Sequence, residues 1–434
     1  MTTIDATVPA AQPGPAVLVR VPGPVWFIGR EKDYWQLMIR GAMLLGVTLG
    51  IYRFWLTTDQ RRFLWSNTEV LGQTLEYTGT ARELLIGFLI AIAILIPIYG
   101  LIFMIALDLG LIGKLASVIG FVLLTVIGHY AVYRARRYRL TRTVYRGVRF
   151  HQTGSAWLYA FYASLWSVIV VLTIGLAYPF MEAVLERYKM RNTWLGNLQG
   201  RFDGTGIRLL LRGFFMWLVT LGPLVGSIIA MGFLLDKAVI EEIMRNITDE
   251  DALGALVTSH PGLTTAIGIG VWGLIWPLLI GPLLYPVFQA MVLRWWASGL
   301  RFGEVTATSK LRTGEVYMTY LRFIGWSFVF GMITGIMGGM LAGVIFGLVA
   351  VAKDTGLSTF AEIGAAIVGV AAYMAVVLGY STIYQVKVKL GLWRAVVESL
   401  DIANPQGLEN VTSVGAPASP VGEGLADALN VGSF

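Results

Sequence analysis

Long uncharged apolar runs alternate along this chain with short segments rich in arginine and aromatic residues. The runs are 84–107, 115–133, 156–181, 213–235, 261–293, 323–352 and 363–386. A helix needs roughly 20 apolar residues to cross a bilayer, so the pattern predicts an all-α polytopic membrane protein. A shorter apolar stretch precedes them, where only twelve residues separate Arg40 from Arg53. At 1.5 Å per residue such a helix reaches about 18 Å, less than a hydrocarbon core of roughly 30 Å. Composition agrees with the class: of 434 residues 56% are hydrophobic and 14% charged, against about 25% charged in soluble domains.

The polar segments repeat. RRFLWSNTEVLGQTLEYTGT from Arg61, RRYRLTRTVYRGVRFHQTGS from Arg136 and ERYKMRNTWLGNLQGRFDGT from Glu186 align on Arg62, Arg137 and Arg187. Each has an aromatic next, a threonine six places on (Thr68, Thr143, Thr193) and a glycine seventeen places on (Gly79, Gly154, Gly204). A weaker fourth copy starts at Arg294. The cassettes fall near 47–88, 126–160, 174–213 and 285–322, within a membrane domain over 25–403. Residues 1–24, rich in Pro and Ala, read as a disordered tail, and 404–434 as a flexible one. TLEYTGT and VRFHQTGS alternate side chains and stop at glycine, which predicts short β-elements. Three or four such pieces are expected to pair into a small cytoplasmic layer.

Charge then orients the chain, because basic loops mark the cytoplasmic face. Residues 134–149 hold seven arginines and no acid, 294–322 hold five bases and two acids, and 236–251 hold six acids and two bases. Eight alternating spans would put the acidic loop inside and the 294–322 loop outside. The conflict vanishes if 36–57 and 156–181 re-enter rather than cross. Both contain Thr-x-Gly before an aromatic, in GVTLGIYRFW and VLTIGLAYPF, which interrupts a helix. Six transmembrane helices in three hairpins plus two re-entrant or interfacial segments is therefore the expected architecture, with eight spans the alternative. Both termini are expected in the cytoplasm.

Candidate sites follow from the same pattern. Arg62, Arg134, Arg136, Arg137, Arg139, Arg142, Arg146, Arg149 and Arg187 lie beside tyrosines at a membrane edge, a setting for lipid headgroups or a protein partner. Topogenic anchoring is the plainer reading, and a basic soluble domain for nucleic acid is absent. Gly331, Gly335, Gly339, Gly343 and Gly347 form a small-residue stripe suited to close helix packing, within the chain or between two copies. There is no cysteine. The three histidines lie far apart, and no phosphate-binding loop, nucleophile elbow or metal motif occurs. Neither a catalytic site, a metal nor a cofactor is expected.

VTLGIYRFW at 47–55 and the following cassette through Phe88 resemble the signature of the YjgN-like family of bacterial inner-membrane proteins. YRGVRFHQTGS at 145–155 is similar to its second motif, and GEGLADAL at 422–429 to its endings. Phe54-Trp55 stands where that family's pattern has Pro-Trp. The resemblance marks Asn67, Thr68, Gly72, Tyr77, Gly79 and Thr80 as motif residues and implies a bacterial inner-membrane address. It also implies a neighbourhood with membrane-bound zinc peptidases of the M48 type. The leading expectation is a non-enzymatic scaffold or accessory protein whose basic cassettes bind lipid headgroups or a partner protein. The runner-up is an uncoupled transporter or channel for a lipid-like or apolar solute.

Overall fold

The computed structural model describes residues 25–107, 110–245, 250–354, 358–408, 411–413 and 427. Strand β1 (Val25–Phe27) leads into helix α1 (Glu31–Val47), which turns back as α2 (Arg53–Ser66) to the hairpin β2 (Thr68–Val70) and β3 (Gln73–Tyr77). Helix α3 (Ala81–Ala106) leaves the sheet and α4 (Leu111–Thr141) returns to β4 (Thr143–Tyr145) and β5 (Val148–Gln152). Short helices α5 (Ala156–Leu172) and α6 (Tyr178–Arg191) deliver β6 (Thr193–Leu195) and β7 (Leu198–Phe202). Next come α7 (Gly206–Leu234), α8 (Lys237–Arg245), α9 (Glu250–Ser259) and α10 (Pro261–Gly299), ending at β8 (Leu300–Phe302) and β9 (Val305–Ser309). Finally α11 (Thr313–Asp354) leaves and α12 (Ser358–Tyr384) returns. It continues through a π-helical turn, Gln385–Leu390, and α13 (Gly391–Glu398) to β10 (Leu400–Ala403).

Among the described residues six helices are long and apolar enough to cross a bilayer: α3, α4, α7, α10, α11, and α12 with its continuation. Their flanks stay bare, with Phe233 88% and Phe346 79% exposed. Apolar surface on this scale is tolerable only against lipid or another protein. The buried core sits instead at the sheet end. There Val25, Phe27, Tyr34, Met38, Leu56, Val386, Leu390 and Val397 cluster from the two ends of the chain.

The ten strands run antiparallel in chain order, β1 to β10, and β10 comes back beside β1, so the sheet curls into a partial barrel. One junction recurs five times. The last residue of one hairpin pairs with the first strand residue after the next helix: Phe27 with Thr68, Tyr77 with Thr143, Gln152 with Thr193, Phe202 with Leu300, Ser309 with Leu400. The following amide then donates to the residue closing that helix. Ile28 reaches Asn67, Thr78 reaches Arg142, Thr153 reaches Asn192, Asp203 reaches Gly299 and Lys310 reaches Ser399, all at 2.8–2.9 Å.

The sheet therefore has five units, one more than the sequence repeat. β10 and β1 form the fifth from opposite chain ends. Arg62, Arg187 and Arg394 make this equivalence concrete, since each Nη2 donates to the carbonyl of a glycine just past a strand: Gly79, Gly204 and Gly29. Each cassette also holds two strands where one was expected. The turns between them are tight, as at Leu71-Gly72 with φ +49° and +79°, both left-handed as a type I′ hairpin turn requires.

The two short helical pairs, α1–α2 and α5–α6, begin and end at the sheet. Their turns match, with φ +48° at Leu49 and +93° at Gly50 against +47° at Ile174 and +84° at Gly175. Thr48 Oγ1 donates to the Leu44 carbonyl and accepts from the Tyr52 amide; Thr173 does the same with Ile169 and Ala177. The two turns share this geometry although Phe54 stands where the second has Pro179. At 17 residues each, α1 and α5 rise about 25 Å before the chain turns back.

Candidate functional site

The cassette residues carry mainly architectural roles. Asn67 and Asn192 close α2 and α6 by donating from Nδ2 to the carbonyls of Phe63 and Tyr188. Thr68, Thr143 and Thr193 each donate Oγ1 to the carbonyl four residues back, at 2.7–2.9 Å. Each then accepts a bond from another unit: from Trp393 Nε1, Trp65 Nε1 and Arg136 Nη1 respectively. Gly72 forms the hairpin turn, and Gly79 accepts from Arg62. Thr80 caps α3, its Oγ1 accepting from the Glu83 amide, which leaves the Glu83 carboxylate at the positive end of that helix.

The arginine cluster faces inward more than the sequence implies. Arg142 is buried and grips Glu83 with both arms, Nε and Nη2 each at 3.1 Å, while Tyr138 donates to the same carboxylate at 2.7 Å. Arg136 bonds Gln152 at 3.1 Å and Thr193 at 2.8 Å. Arg139 reaches Asp427 at 3.3 Å. Arg134 and Arg137 are half-buried on α4. Arg149 donates to Thr78 Oγ1. Only Arg62, Arg146 and Arg187 of the predicted set are exposed. Several of these charges are met by carboxylates, hydroxyls and carbonyls of the ring.

The glycine stripe shows a similar departure. A methyl added at Gly331 would meet the Tyr380 hydroxyl at 2.6 Å, but nothing lies within 4 Å of one at Gly335, Gly339, Gly343 or Gly347. Packing within the chain thus uses the first glycine alone, because α12 meets α11 at its sheet-side end.

Sequence reasoning missed two features. The first is Arg61, one place before the aligned arginine. It is buried, donates to Tyr77 Oη at 3.0 Å, and clasps Asp427 with both terminal nitrogens. Burial disfavours the Arg61 charge, yet the Asp427 carboxylate and Tyr77 outweigh it and hold the guanidinium above its ordinary value. Asp427 itself has a fully enclosed side chain within a region read as a free tail. Thr412, also in that region, donates its amide to Asn197 Oδ1 at 3.2 Å. No local spacing reveals a pair 366 positions apart.

The second is a pair of adjoining cavities where α1 and α2 meet α12. A polar cavity of about 440 Å³ is lined by Arg53, Thr57, Gln60, Ser381, Gln385, Lys389 and Asp427, with apolar residues between them. Among the described residues Asp427 is the only carboxylate in its wall, and the buried Gln385 Oε1 has no hydrogen-bond partner there. Beside it an apolar groove of about 870 Å³ runs between α1 and the α11–α12 hairpin, past Trp35, Met43, Trp326, Ile333, Val370 and Ala375. Ala42, Leu378 and Thr382 line both. Lys389 reaches the polar cavity from the π-helical turn, a local widening that often marks functional positions.

These features can hold an elongated molecule with one polar, negatively charged end. They bring together no set of three or more His, Asp or Glu residues fit for a metal ion among the described residues. No curated protein and no solved structure is significantly similar to the chain. A family model, described as a bacterial protein of unknown function (DUF898), matches residues 22–428. Six long apolar helices among its described residues fit a multi-pass membrane protein, and the chain belongs to this bacterial, YjgN-like family.

Proposed function

We propose that the protein is a non-enzymatic inner-membrane protein that takes a lipid-like anionic amphiphile from the bilayer. The apolar part lies in the groove beside α1 and the charged end turns into the polar cavity. The observation that carries this reading is the wall shared by the two spaces, Ala42, Leu378 and Thr382. It joins a lipid-accessible surface to a pocket bearing Arg53 and Lys389. A second reading, a scaffold for a partner protein, draws on the exposure of Arg62, Arg146 and Arg187 at the sheet rim.

The orientation proposed with it puts the sheet and both chain ends in the cytoplasm, with α1–α2 and α5–α6 as re-entrant pairs. Single cysteines at Thr57, Arg146 and Asn197 should then react with an impermeant thiol reagent from one side, and one at Asn246, outside the described residues, from the other. Arg146 and Asn197 labelled from opposite sides would exclude re-entry.

Filling the groove tests the binding site. Ala375→Trp is expected to weaken retention of phosphatidic acid by the detergent-purified protein about tenfold, roughly 1.4 kcal/mol, measured by native mass spectrometry. Its thermal midpoint in detergent alone should change little, since the groove is empty of protein. Retention equal to that of the unaltered chain would count against the proposal.

A further inference from the structure

Asp427 joins two helices, pairing with Arg61 of α2 and Arg139 of α4. Its carboxylate is met by Arg61 through both terminal nitrogens and by Arg139 at 3.3 Å, so two guanidiniums converge on one carboxylate. The side-chain exposures are 0% for Asp427, 9% for Arg61 and 12% for Arg139. Tyr77 Oη adds a neutral hydroxyl to the same nest. Directly in front lies the polar cavity, whose wall contains Asp427 and, as further cations, Arg53 and Lys389. Removing the Asp427 carboxylate would open this cavity onto the two guanidiniums. Four cations would then border the cavity, with no further acid among the described residues of its wall.

A planar guanidinium binds carboxylate and phosphate oxygens through the same forked geometry. The cluster is therefore matched to a small oxyanion, and the chain's own carboxylate satisfies it.

We infer that Arg61 and Arg139, with Lys389 at the cavity wall, form a binding site for the phosphate of an anionic lipid, and that Asp427 is an intramolecular competitor that must leave before the phosphate enters. The inference rests on the groove-and-cavity reading above and adds the regulation of that site. A competitor that is present most of the time lowers the apparent affinity by the fraction of open molecules. Weakening it raises affinity without any new contact to the ligand. Asn at position 427 keeps the shape of Asp but removes the charge that pairs with both arginines.

The experiment titrates full-length protein in detergent with phosphatidic acid, phosphatidylcholine and inorganic phosphate, following bound ligand by native mass spectrometry and the thermal midpoint in parallel. Asp427→Asn is expected to bind phosphatidic acid about tenfold more tightly than the unaltered chain, as a closed form favoured about ten to one requires. Phosphatidylcholine binding should not change. The midpoint of Asp427→Asn should fall without ligand and recover with phosphatidic acid, since binding to the folded state stabilises it. Adding Arg139→Gln to Asp427→Asn should abolish the gain.

If phosphatidic acid binds the unaltered chain and Asp427→Asn leaves that affinity the same or lower, the competitor role is overturned while the groove reading stands. If Asp427→Asn gains affinity for inorganic phosphate as strongly as for phosphatidic acid, the anion site stands and the lipid as its source is overturned.

Discussion

Arg142→Met is expected to lower the unfolding free energy by about 3–5 kcal/mol, the cost of leaving one member of a buried ion pair without its partner. Glu83 is the group left behind. It accepts two bonds from Arg142 and one from Tyr138, and its side chain is only 20% exposed. The damage spreads because Arg142 also closes α4, its carbonyl accepting the Thr78 amide at 2.8 Å and the Thr78 hydroxyl at 3.2 Å. The start of α3, the end of α4 and the β3–β4 ladder thus share one ionic joint. The double variant Glu83→Gln, Arg142→Met removes both charges and should recover a large part of the loss. Denaturant titration of the detergent-purified variants gives the comparison; a single variant as stable as the unaltered chain would show that the pair carries no such weight.

Phe27→Ala should cost a similar amount, about 3–5 kcal/mol, as for other buried aromatics cut back to alanine. Phe27 is 7% exposed, packs on Phe63 with ring centroids 6.4 Å apart, and lies under the Arg394 guanidinium at 5.3 Å. It also pairs in the ladder with Thr68. Its partners come from α2 and α13, so the substitution strikes where the first and last parts of the chain meet. A three-residue strand has little else to hold it. Loss of β1 should make the Arg394–Gly29 contact labile, which amide exchange at Ile28, bonded to Asn67, would report. Exchange at Thr153, bonded to Asn192 on the opposite side of the sheet, should stay slow.

Much of this architecture is written locally. The six long helices follow from uninterrupted apolar runs, and three of the four cassettes from the arginine, threonine and glycine at fixed offsets, the copy from Arg294 having leucine at both later places. The two Thr-x-Gly turns announced interruptions, and each lies where one short helix gives way to the next in a pair that begins and ends at the sheet. The fifth unit escaped notice because its strands, VWF and LDIA, stand at opposite ends of the chain and lack the threonine. Only Arg394, six places before Leu400, retains the pattern. The first strand of each hairpin, such as TEV or TVY, is three residues long, too short for alternation to declare itself. The candidate cavity was invisible for a different reason. Its walls come from α1, α2, α12 and position 427, and no periodicity within one segment encodes their meeting. The basic cassettes looked like a surface because arginine usually is one. What reverses the sign here is a carboxylate or hydroxyl waiting on another unit.

The place of β10 at the far end of the chain constrains how the protein is made. Strands β1 to β9 can assemble one hairpin at a time as the ribosome delivers them, each pairing with the one just finished. The last junction waits for Leu400 to emerge, after every transmembrane helix has been synthesised. Until then the outer edge of β9 presents the backbone groups that β10 later takes up, a template for wrong partners. Translation arrest or truncation before that point would leave a chain with its helices in place and an adhesive β9 edge at the membrane surface, open to quality-control proteases.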